Sequence, residues 1–217
     1  MDGVEDQNHL NSPKVQLQLD ACEVISFGRH LPRVKGITSA LSNAMPMLRS
    51  ALESFGMSCE YVGLKHFLRF STTSKFDPDN PHDVITKCRV LLQLLAMNIA
   101  PSRAIPVLYG RRCDIIHIGP QKNGLCAIFG INPGQFHQRR KLLTAPALDE
   151  LETLTSSEII VGEAIVVSLG DSVQALNKIR KAVEGCIVLN LPLQLLIDHK
   201  YQDHYDHQES RGIAFVN

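Results

Sequence analysis

Apolar residues recur at three- and four-residue spacings from Leu41 in "LSNAMPMLRSALESFG", where Leu41, Ala44, Met45, Leu48, Leu52 and Phe55 define one face. That period predicts a helix closing near Gly56, and Pro46 fits it best as a first-turn residue. The pattern then shortens to two in "MSCEYVGLKHFLRFSTT", which predicts a hairpin whose strands flank a "GLK" turn, the second running from Phe67 through Phe70. After the Pro/Asp-rich break "FDPDNPHD", with Asp83 or Asn80 as cap, comes the clearest helix, with Val84, Ile85, Cys88, Leu91, Leu92, Leu95 and Ile99 on one broad face. A short helix, "SRAIPVLYG", follows Pro101.

A second unit opens at "CDIIHIG", residues 113–119, a β-branched run suited to a buried strand. Residues 119–135 read as a loop with the turn-rich "GPQKNG" and "INPG". Two helices follow in "FHQRRKLLTAPALDELETLT", then two short strands around "GE" in "SEIIVGEAIVVSLG". The final pattern, "DSVQALNKIRKAVEGCIVLNLPLQLLI", predicts one long helix with Val173, Leu176, Ile179, Ala182, Val183 and Cys186 inward. The second unit thus reads β, α, α, β, β, α and the first α, β, β, α: an α+β protein of two related modules. The divisions fall at 1–20 (a mobile tail), 21–112 (first module), 113–198 (second module) and 199–217 (a C-terminal tail).

Segment order and residues together resemble the KRR family of ribosomal RNA assembly proteins. The motifs are "STTSKFDPDNP", "LLQLLAMNIAPSRAIPVL", "CDIIHIG", "FHQRRKLL", "LTSSEIIVGEAIVVSLG" and "LNKIRKAVEGCI", in that order between residues 41 and 198. The resemblance implies two tandem type I KH-like modules, the first degenerate and serving protein contacts, the second meeting RNA. It also implies a non-catalytic part in ribosome biogenesis and rRNA processing within the small-subunit processome. The partners so implied are small-subunit precursor rRNA and other processome proteins, and the location is the nucleus and nucleolus. Two further readings are a pure protein-interaction scaffold with KH-like folds that no longer touch RNA, and a two-KH assembly factor of the partner-of-Nob family.

The family's Lys-Arg-Arg stands here as Gln138, Arg139 and Arg140, followed by Lys141. Where the family places an Ile-Gly-Pro-Lys-Gly loop, this chain has Thr144, Ala145, Pro146 and Ala147. A KH module grips the nucleic-acid backbone with a G-x-x-G loop, because glycines allow positive φ and let amide groups approach phosphates. Ala145 and Pro146 remove both properties, and Asp149, Glu150 and Glu152 place negative charge in the helix that follows. The candidate RNA-binding set is therefore Gln138, Arg139, Arg140, Lys141, Thr144 and Ala145 around a weak clamp. An ordinary solvated helix end is the competing reading of the basic cluster. Arg111 and Arg112 either extend the same rim or form an exposed joint, and Lys178, Arg180 and Lys181 read as a solvated helix face.

Charge and composition narrow the classes. Twenty-two basic residues balance 22 acidic ones in 217, so RNA contact rests on a local patch rather than on overall attraction. No apolar run reaches the roughly 18 residues that a membrane-spanning helix needs. The six cysteines, Cys22, Cys59, Cys88, Cys113, Cys126 and Cys186, form no C-x-x-C pair and read as reduced core residues of an intracellular protein. His199, His204 and His207 with Asp203 and Asp206 raise a metal question that a hydrophilic tail answers better. No nucleotide-loop motif and no nucleophile–base set is arranged, so neither catalytic residues, a cofactor nor a small-molecule substrate is expected.

Overall fold

The computed structural model describes residues 24–31, 37–76 and 81–198. The N-terminal tail, Cys22, Asn80 with most of the Pro/Asp break, and the C-terminal histidines lie outside the described residues. The first unit runs β1 (Ser26–His30), α1 (Ile37–Glu53), β2 (Met57–Val62), β3 (Phe67–Thr72) and α2 (Pro81–Ala96). A short α3 (Pro101–Ala104) and a 3-10 turn over Ile105–Tyr109 lead to the second unit. There, β4 (Arg112–His117), α4 (Leu125–Ile128), α5 (Pro133–Arg140), α6 (Ala145–Thr155), β5 (Glu158–Val161), β6 (Ile165–Gly170), α7 (Val173–Val188) and α8 (Leu193–Ile197) complete the fold.

Both sheets are antiparallel and share one topology, β1-β3-β2 and β4-β6-β5, with the last strand of each in the middle. The first sheet pairs Phe27 with Phe70 and Cys59 with Phe70; the second pairs Ile116 with Val166 and Ile160 with Val167. The first unit thus has the strand that its sequence pattern did not predict. In "SFGRH" only Phe27 turns toward the core, where its ring meets Phe70 edge-on with centroids 6.1 Å apart. One apolar position among exposed ones leaves no alternation to read.

Burial explains the two strand patterns. Along β2, buried Met57 and Cys59 alternate with exposed Ser58 and Glu60, as expected of a sheet with one solvated face. Along β6, Val166, Val167, Ser168 and Leu169 are all buried. Val167 and Leu169 join the first unit's core of Leu48, Leu52, Leu91, Leu94 and Leu108, while Val166 joins Ile116, Ile118, Ile179, Val183 and Ile187 in a second core. The second sheet is covered on both faces, which is why "CDIIHIG" and "AIVVSLG" read as continuous apolar runs.

Helix boundaries differ from expectation at four places. α1 extends from Ile37 through Pro46, whose ring stays on the exposed face. The 119–135 loop contains the single turn α4 and the start of α5, and in its "GPQKNG" bend a Cβ on Gly124 would lie 2.0 Å from the Gly119 carbonyl oxygen. α2 starts at Pro81, so Asp83 lies within its first turn rather than capping it. The long C-terminal helix divides into α7 and α8, because Asn190 adopts φ 59° and Pro192 cannot continue the hydrogen-bond ladder. Val173 is exposed at the start of α7, whereas Leu176, Ile179, Ala182, Val183 and Cys186 face inward as expected. Among the described residues no helix is long and apolar enough to cross a membrane.

Candidate nucleic-acid interface

The stretch that carries the basic cluster is a helix–turn–helix whose conformation makes no use of glycine. α5 begins in a capping box: Asn132 Oδ1 accepts from the Gln135 amide at 2.9 Å and Gln135 Oε1 accepts from the Asn132 amide at 3.1 Å, with Pro133 next. "INPG" is therefore a helix start rather than a turn. After Arg140 the chain tightens, with the Leu142 and Leu143 amides donating to the Arg139 and Arg140 carbonyls at 3.0 and 3.2 Å. Buried Leu143 anchors this connection, and Thr144 enters α6 with extended backbone at φ −83°, ψ 145°, its side chain making no cap. Between Ile131 and Thr155 no residue has positive φ, so "LTAP" meets no conformational demand that glycine alone could satisfy.

Gln138, Lys141, Thr144 and Ala145 are exposed along this hairpin. The two arginines point elsewhere. Arg139 Nη1 donates to the Ile187 and Val188 carbonyls at 2.9 and 3.0 Å, closing the C-terminal end of α7. Arg140 donates from Nε and Nη2 to the Gly162 carbonyl at 3.2 and 2.9 Å, fastening α5 to the β5–β6 turn. Both side chains are part-buried.

Arg111 is likewise engaged, donating to Glu158 at 3.2 Å and to the Leu169 carbonyl at 3.4 Å; Arg103 meets the same carboxylate. Arg112 is exposed. It pairs with Gly170, at the opposite end of β6 from the β5–β6 turn that Arg140 fastens. The structure does not bring them onto one rim.

The second and third turns of α6 carry three acids, of which Glu150 accepts from Gln194 on α8 at 2.7 Å. Glu152 Oε1 accepts from the Ile159 amide at 2.5 Å, and Asp149 and Glu150 are exposed on the same helix. These carboxylates stand beyond the first turn of α6, which holds no acid, so they act on the flank of the helix rather than at its N-terminus.

Sequence reasoning missed the principal ion pair of this unit. Arg180, expected on a solvated face, donates through Nε and Nη2 to the two carboxylate oxygens of Asp114 at 2.9 and 2.5 Å, and through Nη1 to Glu184 at 3.2 Å. Burial raises the Glu184 carboxyl above its ordinary range, against the opposing pull of Arg180. The detectable signal was an aspartate within an apolar strand, which calls for a partner. Burial also pushes the thiols of Cys59, Cys88, Cys113 and Cys186 up to about 12, as expected of inert core cysteines.

The described residues thus form an α+β protein of two KH-like modules, the first with α1 as its sole described helix between β1 and β2. No family model and no curated protein matches the sequence. Among solved structures, a protein of unknown function from Aeropyrum pernix superposes with a TM-score of 0.61 at 13% identity, over 88% of this chain and 97% of that one. A chain of the a/eIF2alpha–aDim2p–rRNA complex from Pyrococcus horikoshii superposes with a TM-score of 0.55 at 12% identity, over 87% of this chain and 94% of that one.

Proposed function

We propose that this protein is a non-catalytic ribosome assembly factor that holds precursor rRNA and neighbouring assembly proteins through its two KH-like modules. The observation that carries this reading is the tandem fold itself, shared almost end to end with a chain of a complex whose named components are a/eIF2alpha, aDim2p and rRNA. The finer reading rests on the KRR-like motifs: a member of the small-subunit processome, acting in the nucleolus on small-subunit precursor rRNA. At the α5–α6 hairpin, Lys141, Gln138, Thr144 and the Ala145 backbone form the exposed contact surface. Arg139 and Arg140 hold that surface in place through α7 and the β5–β6 turn.

Affinity capture of the tagged chain, followed by RNA crosslinking and sequencing, tests the reading. Small-subunit precursor RNA should be enriched, and depletion should cause small-subunit precursors to accumulate. Normal rRNA maturation after depletion would sink it. The engaged arginines and the acids of α6 favour a second reading, a protein scaffold without RNA contact. Particle association with no RNA crosslink anywhere on the chain would establish that alternative.

A further inference from the structure

We propose that the open edge of β4, in the second module, takes an extended acidic segment of a neighbouring protein as a further strand, with one aliphatic side chain of that segment seated between β4, α4 and α7. This rests on the protein-contact half of the reading above and gives such a contact a place on the module from which RNA contact is expected. β4 lies at one edge of its sheet and β5 at the other. Hydrogen bonds alternate along an antiparallel strand, so successive residues face one neighbour and then the other. The Ile118 amide donates to the Ala164 carbonyl at 3.0 Å, which turns the main-chain groups of Arg112, Asp114 and Ile116 toward β6 and those of Cys113, Ile115 and His117 outward. No described strand pairs with the outward set, although the Ile115 carbonyl accepts from Arg180 Nη2 at 3.4 Å. Such an edge is a template for a further strand.

The two edges of this sheet are not equally open. At β5, Glu152 already holds the outward Ile159 amide at 2.5 Å. Beside β4 the chain instead leaves a cavity of about 110 Å³, walled by Ile115, Leu125, Ile128, Phe129 and the Arg180–Glu184 pair. That volume is well below the roughly 300–1,000 Å³ of a small-molecule site and suits a single side chain. Its outer wall is apolar and incompletely covered: Ile128 is 49% and Phe129 37% exposed.

Charge selects the occupant. The two carboxylates beside the cavity, Asp114 and Glu184, both hold Arg180, and Lys181 adds a second positive charge acting on Glu184. The middle of the edge is thus balanced. Its two ends carry exposed cations: Arg112 begins β4, and Lys122 adjoins Asn123, which lines the cavity. Neither forms a hydrogen bond or ion pair with another described residue. Asp171, just past Arg112's ladder partner Gly170, makes no ion pair with it. A segment with acids on both sides of its aliphatic residue meets a cation at each end, whereas a basic segment is repelled at both.

The test pans a displayed library of random decapeptides on the full chain and measures the selected peptides, fluorescein-labelled, by anisotropy. Selected sequences should carry aliphatic residues flanked by Asp or Glu, and their binding should slow amide hydrogen exchange at Cys113, Ile115 and His117. Arg112→Glu with Lys122→Glu should weaken binding at least about tenfold at an unchanged melting temperature, as should Ile128→Asp. Arg112→Lys with Lys122→Arg should bind nearly as the parent does. Selection of no peptide, or of peptides whose binding survives both the charge reversal and Ile128→Asp, would overturn the proposal. So would exchange protection confined to other strands. In cells, a photocrosslinking residue in place of Ile128 should attach to an acidic, aliphatic segment of a protein; attachment to RNA would equally overturn the proposal. Peptide binding that meets these expectations while depletion leaves rRNA maturation normal would remove the assembly reading and keep the docking edge.

Discussion

Arg180 on α7 grips Asp114 on β4 with two parallel hydrogen bonds, and the same guanidinium reaches Glu184 one turn further along its own helix. The pair ties helix to sheet edge across 66 residues of sequence. Arg180→Met removes the guanidinium that Asp114 and the buried Glu184 share. Its partial exposure reduces the effect relative to a fully buried pair, so the expected cost is about 2 kcal/mol by urea unfolding. Asp114→Asn with Arg180→Met should cost less than the sum of the single changes. An unchanged unfolding midpoint in Arg180→Met would refute the role.

Arg139→Ala and Arg140→Ala should each lower stability by about 1 kcal/mol, because each leaves carbonyl oxygens without their charged donor. Lys141→Ala, at an exposed position, should leave the unfolding free energy within about 0.5 kcal/mol of the parent's. Equal, negligible effects at all three positions would return the arginines to the solvated helix end of the competing sequence reading.

The cysteines set an alkaline limit. Cys59, Cys88, Cys113 and Cys186 rise from an ordinary thiol value of 9.0 to about 12 through burial. A group whose folded-state value is raised contributes stability that is complete below the unfolded value and is lost as pH climbs toward the folded one. Denaturant midpoints should therefore fall between pH 9 and 12. At pH 8 these thiols should react with a disulfide reagent about a thousandfold more slowly in the native protein than after unfolding. Rapid labelling of the native chain at any of the four would contradict the burial.

Two of the left-handed helix exits, Gly56 after α1 and Ser156 after α6, differ in what they tolerate. A Cβ at Gly56 would lie 2.4 Å from the Phe76 Cα at a φ of 67°, so Gly56→Ala should destabilise by more than about 2 kcal/mol. Ser156 adopts φ 48° without glycine, and Ser156→Gly should be neutral or stabilising by up to about 1 kcal/mol. Thermal unfolding of the two variants checks both signs.

What the sequence disclosed followed from periodicity. The inward faces of α2 and α7 and both hairpins were legible because several apolar side chains repeat at a fixed interval. β1 was not, since Phe27 alone faces the core, nor was α4, which is one turn long. The fates of Arg139 and Arg140 were hidden for another reason. Their acceptors are main-chain carbonyls, which every residue possesses, so no side-chain pattern announces them. The division of α7 from α8 was written in "NLP", where the apolar pattern ran on past a proline that the helix did not follow.

The double-sided burial of β6 has a consequence for how this chain can change over evolutionary time. Val166 belongs to one interior and Val167 to the other, so adjacent residues on one strand answer to different neighbours. Neither half is an interchangeable cassette: grafting a foreign first half onto this second half would leave Val167 and Leu169 facing a surface not shaped for them. The two halves should therefore melt in a single transition and diversify in concert, with variation displaced onto the open face of the first sheet, where Ser58, Glu60 and Arg69 owe nothing to either interior.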